Sequence, residues 1–203
     1  MVLKDLDLSG LDEPQEIAHE FKIDLNCVVI ANHDLTLKAI DGSEDEELAK
    51  FEDSLTPENY ELLRSITGHM QNFYEDLRQA ARRLALVALV TRLQHWIVRF
   101  AKQTKIKCDN TYNSQLGNQV AALNKLLGIG PVPEVFFEDL AAVRDSIIHA
   151  DSRAEWQYHT KPRKVADHYR NAYGDVELTE EQLKEAIQKV TRQVIWYDEK
   201  LHH

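Results

Sequence analysis

The sequence predicts an all-α protein, an up-and-down helical bundle of about five or six helices. Three observations predict it. Apolar residues recur at intervals of three and four over most of the chain after residue 56. Helix start and stop signals bracket those stretches, and the connections between them are short. No internal repeat or low-complexity tract interrupts the pattern.

Residues 1–55 read as an acidic N-terminal extension that could pack on the bundle of residues 56–203. In it Ile23, Leu25, Cys27 and Val29 alternate, with Leu35, Leu37 and Ala39 available to answer them across Asn32-His33. That pattern suits a hairpin, and two short helices suit it equally. Gly42 to Glu47 is acidic and turn-like, the composition of a surface loop.

Thr56 followed by Pro57 predicts an N-cap and first turn. Leu63, Ile66, Met70, Phe73 and Leu77 then form an apolar stripe. A second stretch, Asp76 to about Lys102, lacks Pro and Gly and carries Leu86, Leu89, Leu93, Ile97 and Phe100 on one side. It is the predicted central helix. Continuity with the preceding stretch is left open, since one helix of more than about 40 residues is unusual in a compact domain.

Asn113 or Ser114 opens a shorter helix through Val120, Leu123 and Leu127, which Gly128 ends. After the stiff turn to Pro133, Phe136, Phe137, Leu140, Val143 and Ile147 predict another helix beginning near Pro133 or Glu134. The pattern weakens after Asp151, through Trp156, Tyr158, Tyr169 and Tyr173. Thr179 and Gln182 then form a capping-box pair ahead of Leu183, Ile187, Val190, Val194 and Tyr197.

Composition narrows the classes of function. The longest apolar run, Leu84 to Val90, is far short of the roughly 20 residues that cross a bilayer, so no membrane partner is expected. A soluble, cytoplasmic protein is expected. Cys27 and Cys108 show no redox or metal spacing and read as core thiols. The histidines form no metal-binding pattern, and no Walker loop, dinucleotide glycine pattern or serine elbow occurs, so neither metal nor cofactor is expected. The tryptophans read as packing aromatics.

A formal net charge of -10 opposes unspecific adhesion to nucleic acid. Its distribution changes that reading: residues 1–60 hold 16 acidic and 4 basic side chains, whereas residues 61–109 hold 4 acidic and 9 basic. The acidity belongs to the N-terminal segment.

Polar chemistry concentrates at Val143-Arg144-Asp145-Ser146-Ile147-Ile148-His149-Ala150-Asp151. Asp145, His149 and Arg153 lie at i, i+4 and i+8, nearly in line if the helix continues. Asp145 could then orient the imidazole. Arg144 stands about 140° around the helix from His149. One regular helix therefore does not aim both at one phosphate, whereas two copies about a twofold axis could. The plainer roles are a helix-end histidine interacting with Asp145 or the helix dipole, an arginine in a salt bridge, and a surface carboxylate. Lys161, Arg163 and Lys164 form a basic knot, either a solvated loop or a guide for a phosphate backbone.

Arg144-Asp145-Ser146-Ile147-Ile148-His149, in a late helix of an all-helical frame, resembles the HEPN superfamily. RNase members of that superfamily carry Arg, four to six residues and then His, commonly with a polar residue after the Arg. The resemblance covers roughly residues 56–200. It implies a homodimer whose two motifs face a shared cleft, with RNA as substrate. It also implies Arg144 and His149 as catalytic residues, Asp145 as a tuning residue, and products ending in a 2′,3′-cyclic phosphate and a 5′-hydroxyl.

Family members that transfer nucleotides have Tyr two residues after the His. Asp151 stands there instead, which favours cleavage. The function expected is a metal-independent endoribonuclease of a toxin or phage-defence system, for which an antitoxin or other protein partner is admissible. The alternative is a catalytically inactive HEPN-like module that binds a partner protein or RNA.

Overall fold

A computed structural model describes Leu3, Leu6, Leu8 and residues 16–54, 56–103, 116–158 and 161–202. Helices dominate: α1 (Glu16–Asp24), a π-helical segment (Leu25–Ile30), α2 (Ala31–Asp53), α3 (Tyr60–Gln103), α4 (Leu116–Leu127), α5 (Glu134–His149) and α6 (Glu180–His202). A small antiparallel hairpin, β1 (Glu155–Tyr158) and β2 (Lys161–Lys164), lies between α5 and α6. The helical bundle is as expected in outline, and the hairpin is an addition to it.

Residues 16–53 of the N-terminal segment are helical. Ile23 and Cys27 are exposed while Leu25 and Val29 are buried, so the alternation belongs to two faces of a helix and not to a strand. The wider π turn keeps Leu25, Val29 and His33 on the buried side. Cys27 is therefore a surface thiol, not a core one; Cys108 lies outside the described residues.

The expected acidic loop at 42–47 is instead part of α2. Its carboxylates find a cation far away in sequence: the Arg78 guanidinium of α3 donates to Asp41 Oδ1 at 2.9 Å and to Glu44. These bonds hold the arginine above its ordinary pKa, Glu44 contributing most.

α3 settles the question of continuity. It is one helix of 44 residues, about 66 Å long. Thr56 does not cap it. The turn Thr56 to Asn59 precedes it, Asn59 O accepts the first helical bond from Leu63 at 3.0 Å, and Asn59 Oδ1 accepts from Thr56 N–H at 2.7 Å.

One 18-residue window of α3 has mean hydropathy 1.3, enough by length and composition for a membrane span, but half of that window is buried inside the protein. The burial explains the apolar character. Leu86, Leu89, Val90, Leu93 and Ile97 form the axis of the core, met by Phe137, Leu140 and Val143 of α5 and by Leu183, Ile187, Val190 and Val194 of α6.

Helix ends follow their local chemistry. α4 begins at Leu116 in the described residues, and the proposed openers Asn113 and Ser114 lie outside them. Gly128 ends it with φ +105°, a conformation that costs glycine nothing. At α6 Gln182 N–H donates to Thr179 Oγ1 at 3.1 Å and Thr179 N–H donates to Gln182 Oε1 at 2.8 Å, a complete capping box.

Tyr169, on the 3₁₀ turn Asp167–Tyr169, is only 3% exposed. Burial, with help from Glu185 and Asp139, pushes its hydroxyl up to about 12. Below pH 10 the hydroxyl is neutral in folded and unfolded chains alike. Between about 10 and 12 only the unfolded chain ionises, so stability falls as pH rises, by about 2 to 3 kcal/mol over the window. Denaturant titrations of wild type and Tyr169→Phe at pH 9 to 12 should show a shallower decline in the variant. Parallel curves would contradict the burial effect.

Candidate functional site

Arg144, Asp145 and His149 all lie on the last two turns of α5. The helix is regular to its end, with Ala150 N–H donating to Ser146 O at 2.9 Å. Five positions separate Arg144 from His149, so the two side chains leave the axis about 140° apart.

Arg144 is half-buried and committed to neighbours. Its Nε and Nη2 donate to Asp145 Oδ1 at 2.9 and 2.6 Å, and Nη1 donates to Gln94 Oε1 of α3. Asp145, expected to orient His149, thus has one carboxylate oxygen holding the guanidinium. His149 itself is exposed at the final position of the helix. In a single chain the motif places the imidazole at the surface and leans the guanidinium against α3.

The line Asp145, His149, Arg153 does not form, because the helix stops at His149. Asp151 and Ser152 follow with φ 51° and 63°. Left-handed conformation at two successive non-glycine residues is costly and needs support. Ser146, fully buried, supplies much of it: its carbonyl accepts from Ala150 and Ser152 N–H at 2.9 and 3.1 Å, and its hydroxyl donates to Arg153 O at 2.7 Å. Ser152 O in turn accepts from Val176 N–H at 2.6 Å. The chain leaving His149 is stitched down and delivered to β1.

The basic knot sits on β2. The register pairs Trp156 with Arg163 and Tyr158 with Lys161, so positions 156, 158, 161 and 163 share one face of the hairpin. Lys164 occupies the other face, paired with Glu155 in register, and its Nζ is 2.9 Å from Asp167 Oδ1. That hydrogen bond and the lysine's charge hold the Asp167 carboxyl below its ordinary pKa. Positions 161 and 163 therefore lie on the same face as position 156, and position 164 lies on the other.

Trp156 is half-buried and touches the core, Trp96 is buried, and Trp196 is half-buried beneath Lys200. An open depression of about 630 Å³ adjoins the hairpin, lined by Glu155, Trp156, Gln157, Pro162, Arg163 and Lys164.

Gln94 and Ser146 hold the end of α5 and the turn after it by hydrogen bonds that the pattern of types did not single out. Their roles depend on a contact 50 residues away and on a turn without a glycine. Among the described residues no group of three or more His, Cys, Asp or Glu side chains could hold a metal ion. His33 is buried on α2, its Nδ1 3.4 Å from Asp34 Oδ1 and its Nε2 3.7 Å from Glu180 Oε2 on α6.

No family model, curated protein or solved structure matches this chain.

Proposed function

We propose that this chain is a metal-independent endoribonuclease whose catalytic groups are Arg144 and His149, brought to one groove by two copies of α5. The observation that carries the reading is the exposed His149 at the end of α5, six positions before a hairpin face that carries Trp156 and Arg163. An imidazole can exchange a proton with the 2′-hydroxyl near neutral pH. A guanidinium fork can bond phosphate oxygens and stabilise the charge that develops on them.

In the step, the 2′-oxygen attacks the adjacent phosphorus as a base takes its proton. The bond to the 5′-oxygen breaks, and an acid returns a proton to that oxygen. The products are a 2′,3′-cyclic phosphate and a 5′-hydroxyl, in keeping with the resemblance to HEPN ribonucleases. Arg163 of the hairpin, which lines the open depression, offers a phosphate contact for the strand.

One observation favours a second reading. Arg144 already bonds Asp145 and Gln94, so it must exchange those contacts to reach a phosphate. A module that binds RNA without cutting it needs no such exchange.

The two readings separate in one assay. Single-stranded RNA and tRNA are incubated with the full chain in EDTA, beside Arg144→Ala and His149→Ala. Cyclic-phosphate ends that vanish in both variants support catalysis. Retention of intact RNA by wild type, weakened about tenfold by Arg163→Ala, supports the binding module.

A further inference from the structure

We propose that α3 carries a docking face for a second copy of this chain, paired antiparallel about a twofold axis at Phe73. The face is a stripe along one flank of α3, and at Leu84 it borders the cleft between α2 and α3. Leu62, Phe73 and Leu84 are 64%, 56% and 67% exposed, although each is a large apolar residue. They follow at equal steps of 11 residues, three helical turns, so they stand almost in line. Ile66 and Leu77, both half-buried, and the exposed Ala80 fill the intervals. Single exposed apolar residues need no explanation, but a line of them about 33 Å long on one helix does.

The occupant follows from the symmetry of the stripe. Its positions 62, 66, 69, 73, 77, 80 and 84 are palindromic about 73. An antiparallel copy centred there sets Leu62 against the mate's Leu84, Ile66 against its Ala80 and Phe73 against its own equivalent, as an isologous interface requires. The one polar member, His69, falls beside the mate's Leu77 and Asp76. Asp76 is exposed on the same flank, so each copy offers an imidazole to a carboxylate twice over.

The ends also match in shape. Beside Leu84 opens a cleft of about 280 Å³ between α2 and α3, lined among others by Val28, Thr36, Ala81 and Ala88, where the mate's Leu62 arrives. An overlap of residues 60–86 is about 40 Å long and 10–12 Å wide. It covers on the order of 1,000 Å² over both copies, the lower bound for a specific interface.

This pairing leaves the two Gln94 residues about 60 Å apart along the arms, so it does not itself build the α5 groove. The inference stands independently of the RNA chemistry.

Mass by light scattering or sedimentation on the full chain at about 10–100 µM tests it. Wild type should have twice the mass of Phe73→Glu, whose helicity is unchanged and whose affinity at this face is lowered on the order of 100-fold or more. Leu126→Glu, an exposed apolar site elsewhere, should keep the wild-type mass.

Orientation is read by oxidising a mixture of Leu62→Cys and Leu84→Cys chains in a background with Cys27 and Cys108 replaced by serine. Mixed 62–84 disulfides support the antiparallel pair. A monomeric wild type, a dimer indifferent to Phe73→Glu, or 62–62 disulfides alone would overturn it. So would a monomer that sediments with phosphatidylcholine–phosphatidylglycerol vesicles only when Phe73 is intact, because the stripe would then serve a bilayer.

Discussion

His149→Ala is expected to lower RNA cleavage in EDTA by about 10²- to 10⁴-fold, the usual loss when a general acid or base is removed. Stability should change little, because the imidazole is exposed at the last position of α5. Arg144→Ala should lose as much activity and also stability, about 1–3 kcal/mol, because it leaves Gln94 and Asp145 without their half-buried donor.

Asp145→Asn separates the two effects. It keeps the shape but loosens the hold on Arg144, so a modest change in rate, within about tenfold, is expected. The assay follows cyclic-phosphate ends on single-stranded RNA, with thermal unfolding of each variant in parallel. A His149→Ala chain that cuts at the wild-type rate would sink the catalytic assignment.

Phe100→Ala is expected to cost about 3–5 kcal/mol, a large share of the roughly 5–15 kcal/mol that holds a domain together. Phe100 is 1% exposed and stacks on Trp96 with ring centroids 4.8 Å apart, while Tyr197 of α6 lies 5.8 Å away. Phe21 of α1 meets Trp96 edge-on at 5.9 Å. The ring therefore ties three helices through one aromatic cluster, and its loss opens a cavity that no single neighbour can fill. Phe100→Leu, which keeps most of the volume, should cost about half as much. Urea titrations measure both, and a loss below about 1 kcal/mol for the alanine would show that the cluster collapses freely.

How well the sequence speaks depends on the range of the interaction. α5 and α6 are plain from their periodicity, and the Thr179–Gln182 box and Gly128 mark their places because each is a contact within four residues. The segment 42–47 misleads because its helix rests on Arg78, more than 30 positions away. Residues 23–29 mislead because buried positions four apart, with exposed ones between, look like a strand over so short a window.

The site shows the same division. Arg144, Asp145 and His149 stand out as types at a spacing, but Gln94 and the Ser146-pinned turn exist only once α3 and the 174–176 segment are in place. The hairpin at 155–164 offers four strand residues a side, too few for alternation to rise above noise.

The length of α3 has a mechanical consequence. Its membership of the core begins only at Ala85, and the 25 residues before that run alongside α2 as an arm about 37 Å long. Such an arm is a lever. A tilt of about 5° where it leaves the core moves its tip by about 3 Å, roughly the reach of one hydrogen bond. Small repacking around Leu86 and Leu89 would thus be felt at Tyr60 as a displacement large enough to make or break a contact, without α3 itself bending.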